Sequence, residues 1–200
     1  MIHFRVRDFV SVILYRVFLS RCFGRLGRGA RVIWPLRIVG GRFVSLGDRV
    51  TLQYGSYIAV LQTDPQHSPA LEIGGGTQVG NYAHIICTRR IEIGAKVLMA
   101  DRVYIADNRH EYEDVARPIM DQPLRQLDDV SIGSGSWIGE NVCILGCRIG
   151  KNCVIGANSV VTRDIPDYCV ALGCPAVPVK RFCEESGKWR KIDASGKFLD

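Results

Sequence analysis

Along this chain an aliphatic side chain returns every six positions, and the residue after it is often glycine. The clearest run is Ile132-Gly133, Ile138-Gly139, Ile144, then Ile149-Gly150, Ile155-Gly156 and Val161. The same spacing holds earlier at Leu46, Leu52 and Ile58, at Ile73, Val79 and Ile85, and at Ile93, Met99 and Ile105, so that 15 positions form five triplets. A strand repeats its side-chain direction every second residue and a helix every 3.6, and neither alone yields a strict six. A unit of one short strand and one corner does, with three units closing a coil of about 18 residues and coils stacking at the strand spacing of roughly 4.8 Å. The breaks, 58 to 73, 85 to 93, 105 to 132 and 144 to 149, all fall between triplets, so every insertion leaves from one corner of a three-sided coil. The last of them, ILGCRI, is a residue short of six, so the coil departs locally from its repeat there. The pattern predicts an all-β parallel β-helix with one continuous aliphatic core, in which glycine after the aliphatic permits the tight corner.

The two ends differ from this middle. Residues 9–19, FVSVILYRVFL, are apolar apart from Ser11 and Arg16, a run too short for the roughly 20 residues that cross a bilayer. Val6, Val10, Ile13, Leu14 and Val17 share one helical face, with Arg5, Arg7, Arg16 and Arg21 around it. Such an amphipathic helix either caps the end of the core or lies on a membrane surface through residues 1–29. After Pro178 the chain reads as a short basic C-terminal helix and a frayed end. The expected division is an N-terminal segment 1–30, a β-helix domain 31–178 and a tail 179–200.

Composition narrows the class. A chain of 200 residues at 47% hydrophobic content supports one main core, and 21 glycines against 8 prolines favour turns over long helices. The net charge of +6 sits in seven arginines before residue 32 and in Lys180, Arg181, Lys188, Arg190 and Lys191. It suits an anionic partner, but no nucleic-acid-binding motif is present and none is expected. The 8 cysteines include no CxxC pair and follow no cleavable signal peptide, which points to reduced thiols in a cytoplasmic protein. Cys143, Cys147 and Cys153 fall inside the repeat, where a small apolar side chain fits, and no metal is expected.

The longest break, residues 106–131, ADNRHEYEDVARPIMDQPLRQLDDVS, must leave the coil as a loop. Long excursions from a compact repeat are usually functional. At its root stands His110, a residue type able to take a proton near neutral pH, with Asp107, Glu111, Asp114 and Asp121 as candidates to orient its second ring nitrogen.

The repeat over roughly residues 40–180 resembles the hexapeptide-repeat acyltransferases, whose fold is the left-handed parallel β-helix. VYIADNRHEY, five residues beyond Ile105, looks like that family's catalytic-histidine segment, and Pro118-Ile119 with Gln122-Pro123 resemble its sugar O-acetyltransferase branch. The resemblance implies His110 as general base. Where that branch commonly carries Asp-His-Asn-His, this chain has Asp107-Asn108-Arg109-His110, so one imidazole is absent and Arg109 is new. Upstream, Asn81 and His84 in VGNYAHI are similar in position to an acceptor-binding asparagine that faces the histidine across a subunit boundary. Downstream, GSWIGE and IGANSVVTRDIPDYCVALGCPAVPVKRF resemble the cofactor-binding end. Trp137, Gly139, Ala157, Thr162, Arg163 and Lys180 there match residues that line the pantetheine groove or meet the phosphates of acetyl-CoA; plain packing or solvated-surface roles remain open for them. A homotrimer follows from the same resemblance.

Implied overall is an acetyl-CoA-dependent O-acetyltransferase acting on a sugar hydroxyl in surface polysaccharide assembly, peripheral to the inner membrane face. N-acetylation or other acylation of a nucleotide sugar or small molecule, and a non-enzymatic scaffold, are the competing readings. A metal-dependent hydratase of similar fold needs three clustered histidines, whereas the 4 here lie at positions 3, 67, 84 and 110.

Overall fold

The structure, a computed structural model, describes residues 2–193 and 195–199, with side chains from Val6 onward; the Arg5 side chain lies outside the described residues. Short parallel strands form the three faces of a prism. The first face stacks Arg25–Leu26, Val44–Leu46, Ala70–Ile73, Arg90–Ile93, Val130–Ile132 and Arg148–Ile149. The second begins with Arg31–Val32, Thr51–Leu52, Gln78–Val79, Leu98–Met99, Trp137–Ile138 and Val154–Ile155. The third holds Arg37–Val39, Tyr57–Val60, His84–Cys87, Tyr104–Ala106, Cys143–Leu145 and Val160–Val161.

All 15 repeat positions point inward and are at most 2% exposed. They stack on their own kind from coil to coil: Ile138 pairs in register with Met99 on one side and Ile155 on the other. Every insertion leaves at the corner between the third face and the first. The coil begins earlier than the boundary expected at residue 31. Leu26, Val32 and Ile38 form one more triplet, spread among Arg25, Arg28, Arg31 and Arg37, whose side chains face water.

The repeated glycines play a different part from the one expected. The left-handed backbone that turns each corner falls two residues after them, at Asn141 (φ 56), Asn152 (φ 48) and Asn158 (φ 60) among others. Asparagine is among the side chains that tolerate this conformation. The glycines themselves lie where the next coil presses close. A Cβ on Gly139 would sit 2.6 Å from the Ala157 nitrogen, and one on Gly94 2.6 Å from that of Ser134.

The N-terminal helix, Ile2–Ile13, continues into a wider turn at Leu14–Phe18 and closes the first coil. Ser11 is buried against that end: its hydroxyl donates to the Val32 carbonyl (3.0 Å) and accepts from the Trp34 amide (2.9 Å). Trp34 Nε1 also donates to the Arg7 carbonyl, and Tyr15 packs edge-on to Phe23. Docking therefore uses the Ser11 side of the helix. Val6, Phe9, Val10, Ile13, Leu14, Val17 and Phe18 are left exposed. Among the described residues no helix is long and apolar enough to cross a membrane.

Among the described residues the expected C-terminal helix is absent. Residues 176–191 instead extend the second face, Ala176–Cys183 running antiparallel to Cys169–Gly173 and pairing with Lys188–Lys191. Cross-strand packing of Phe182 on Trp189, with ring centroids 5.8 Å apart, offsets the charge of the segment.

Candidate functional site

The excursion 106–131 leaves the third face as a hairpin, with Asn108–His110 antiparallel to Leu124–Gln126 and His110 opposite Leu124. Its root is fixed by a buried carboxylate. Asp107 is fully buried and accepts from the Thr88 amide (2.8 Å), the Arg89 amide (2.7 Å), the Arg90 amide (2.9 Å), the Thr88 hydroxyl (3.0 Å) and Asn108 Nδ2 (2.9 Å). Three successive backbone N–H groups converging on a carboxylate make an anion nest. Here the anion is supplied by the chain itself, one coil beyond the nest. Gln126 closes the opposite strand by donating to the Asp107 carbonyl (2.6 Å), and its Oε1 lies 2.9 Å from the Thr88 hydroxyl as the alternative acceptor to Asp107. At the far end Gln122 is buried, and its amide donates to the carbonyls of Asp114 (2.9 Å) and Arg117 (3.0 Å).

His110 follows this anchor by three residues. It is exposed, and its ring has no hydrogen-bond partner among the described residues. Of the four candidate orienting carboxylates, Asp107 is spent on the nest, Glu111 reaches Arg125 (3.4 Å) and Asp114 accepts from the Ala116 amide (3.0 Å). Asp121 makes no contact with His110 among the described residues.

Asn81 and His84 lie at the other end of the third face. Asn81 is held by Asp101, one coil on, which accepts from its backbone N–H (2.7 Å) and its Nδ2 (3.1 Å). His84 stands edge-on between Tyr57 and Tyr104, with centroids 4.7 and 5.3 Å away, and burial pushes its pKa below the ordinary histidine value. One side of the prism, about five residues or roughly 17 Å at the strand rise, separates their corner from the corner at which the hairpin leaves. Within the protomer neither residue contacts His110 among the described residues.

The expected cofactor residues divide into two groups. Trp137, half exposed, heads a column running in register through Val154 and Val170 to Lys180 on the antiparallel extension. Leu98 lies on its other side. Three strand spacings separate Trp137 from Lys180, roughly 14 Å, giving an apolar wall that ends at a cation. Gly139 and Ala157 stack at the adjoining corner. Thr162 and Arg163 stand instead at the corner from which the hairpin leaves. Arg163 lines a groove of about 550 Å³ with Pro166, Arg181 and Ile192. Both groups are of the type that holds acetyl-CoA, since a pantetheine arm takes shallow apolar walls and backbone groups while phosphates take Arg and Lys. Arg181 was read from sequence only as one of a basic cluster, not as a cofactor residue. The strand that carries it was expected to be helical, and helical geometry does not place it beside Arg163.

The eight cysteines are free thiols. Cys147 and Cys153 are buried within the stack, and burial raises their pKa to about 11. Both therefore stay protonated as small apolar fillers.

A three-sided parallel coil with a single anchored hairpin at its one open corner defines the class of protein. Residues 129–163 match the family model for the bacterial transferase hexapeptide (six repeats). An Escherichia coli K12 protein named as a lipopolysaccharide biosynthesis O-acetyl transferase is 32% identical over 194 residues, covering 93% of this chain and 91% of that protein. A Mycobacterium tuberculosis protein named as an acetyltransferase is 39% identical over 141 residues, 70% of this chain, and the chain spans only 43% of its length. Among solved structures, a maltose O-acetyltransferase from Clostridium difficile 630 superposes with a TM-score of 0.57 at 26% identity, covering 90% of this chain and 84% of that one. The chain belongs to the hexapeptide-repeat acyltransferase family, and its coil is the left-handed β-helix of that family.

Proposed function

We propose that the protein transfers the acetyl group of acetyl-CoA to a hydroxyl of a saccharide acceptor, in surface polysaccharide assembly, with His110 as general base. The observation that carries this is the anchored hairpin, which presents an uncommitted imidazole three residues beyond a fully buried carboxylate. The names of the Escherichia coli and Clostridium difficile relatives support oxygen, and a sugar, as the destination.

In the proposed step His110 takes the hydroxyl proton as the oxygen attacks the thioester carbonyl. The tetrahedral intermediate collapses with cleavage of the C–S bond, and the CoA thiolate leaves and recovers that proton. The Trp137 column holds the pantetheine arm, while Lys180, Arg163 and Arg181 meet its phosphates. The distance between the corner of Asn81 and His84 and the corner of His110 is closed by a second copy of the chain, as in a homotrimer. The exposed apolar face of the N-terminal helix, bordered by Arg7, Arg16 and Arg21, supports a peripheral position at the cytoplasmic membrane face as part of this reading. Removing residues 1–22, which spares the first coil, is then expected to release the protein from anionic vesicles; retained binding sinks the membrane assignment.

The first test is calorimetric titration with acetyl-CoA, followed by transfer assays on wild type and His110→Ala. Removing a general base is expected to lower kcat by about 10²- to 10⁴-fold with CoA binding and melting temperature unchanged. An active His110→Ala protein refutes the base assignment, and absence of CoA binding refutes acyl transfer.

A further inference from the structure

We propose that Arg109 binds an anionic group of the acceptor, a carboxylate or a phosphate, and so selects acidic saccharides. The proposal rests on the acetyl-transfer reading above and names the substrate class of that same site. The hairpin places Arg109 directly opposite Arg125, and like charges facing each other across strands are destabilising. Arg125 is neutralised by Glu113 (2.8 Å) and Glu111 (3.4 Å). Arg109 has no such relief: it forms no ion pair among the described residues, and its Nε is buried without a hydrogen-bond partner. A buried guanidinium N–H with no acceptor is a cost that folding alone does not repay. An anion held by the remaining guanidinium N–H groups offsets the charge that the fold leaves uncompensated.

The group is also held by a second side chain. Alternation along the strand starts Arg109 and His110 on opposite faces of the ribbon. The Arg109 guanidinium, however, lies over the Tyr112 ring, 4.8 Å from Cζ to centroid, and Nη1 donates to the Tyr112 hydroxyl (3.2 Å). Tyr112 stands two residues beyond His110, past the last paired position of the hairpin, so the ring that holds the cation belongs to the same short segment as the histidine. Stacking on a ring holds the planar group in place while leaving its other N–H groups free for a carboxylate or phosphate, the two anions whose geometry a guanidinium matches.

The experiment measures kcat/KM at saturating acetyl-CoA for three probes, methyl galactoside, methyl galacturonide and galactose 1-phosphate, with wild type, Arg109→Gln and Arg109→Lys. Melting temperatures are recorded alongside. Wild type is expected to prefer an acidic probe by about tenfold or more, as a charged hydrogen bond gained in the complex implies. The preferred acidic probe tells a carboxylate from a phosphate. Arg109→Gln is expected to lose that preference while keeping its rate on the neutral sugar and its KM for acetyl-CoA, with Arg109→Lys falling between. Equal use of the three probes by wild type overturns the proposal, as does an equal loss on all three in Arg109→Gln or a raised KM for acetyl-CoA. If wild type binds acetyl-CoA yet acetylates none of the probes, the saccharide reading fails and this one with it.

Discussion

The prism and its hairpin hold their shape by opposite means. Inside the prism, stability comes from identical apolar contacts repeated coil after coil, with side chains such as Leu46, Ile85 and Ile144 fully buried. In the excursion 106–131 the buried groups include Asp107, Asn108 and Gln122, and geometry there is set by hydrogen bonds to particular backbone atoms. The prism is redundant, since each coil resembles its neighbours. The hairpin is not. The general base proposed for this hairpin would have to hold its position against a substrate, and a few directional bonds to a rigid wall provide this where an apolar loop has no surface to bury.

The sharpest test of the difference is a pair of single substitutions. Ile138→Ala removes a fully buried side chain stacked between Met99 and Ile155. An inward cavity of that kind is expected to cost about 2–5 kcal/mol, read as a lower urea midpoint for the whole protein. The hairpin should unfold in the same transition, because its wall goes with the coil. A second, earlier transition confined to one end of the prism breaks the view that the stack is a single cooperative unit.

Legibility in the sequence divides along the same line. Each inward position obeys one chemical rule at one spacing, so five coils and the corner of insertion were readable from aliphatic residues alone. The first coil escaped because Leu26, Val32 and Ile38 are scattered through a stretch dominated by arginine. The tail was misread because the cations of VKRFCEESGKWRK suggest an amphipathic surface, whereas strand pairing of Phe182 with Trp189 decides its form. His110 was singled out through its segment's resemblance to a family, but the buried anchor that precedes it was not. Thr88, Arg89 and Arg90 lie 19 to 17 positions before Asp107, and backbone N–H groups leave no mark in a sequence. Asn81 is the converse case. Its side chain matched an acceptor-binding position, and only the coil register shows Asp101 holding it from one coil away.

The smaller substitution tests the anchor itself. Asp107→Asn keeps the size of the side chain but replaces one accepting oxygen with an NH2 group that faces the N–H donors of Thr88, Arg89 and Arg90. Leaving buried donors unsatisfied costs about 1–3 kcal/mol, less than the core cavity, and the loss should be local. Amide exchange is expected to quicken at residues 88–90 and along the hairpin while the inward strands of the prism stay protected. Because His110 keeps its chemistry and loses only its placement, kcat should fall less than in His110→Ala, with acetyl-CoA binding unchanged. Uniform acceleration of exchange across every coil would mean that Asp107 stabilises the prism as a whole, and the division of labour between coil and hairpin would have to be abandoned. Faster exchange at residues 88–90 with full activity would separate the anchor from catalysis, leaving His110 positioned by contacts that a neighbouring copy supplies.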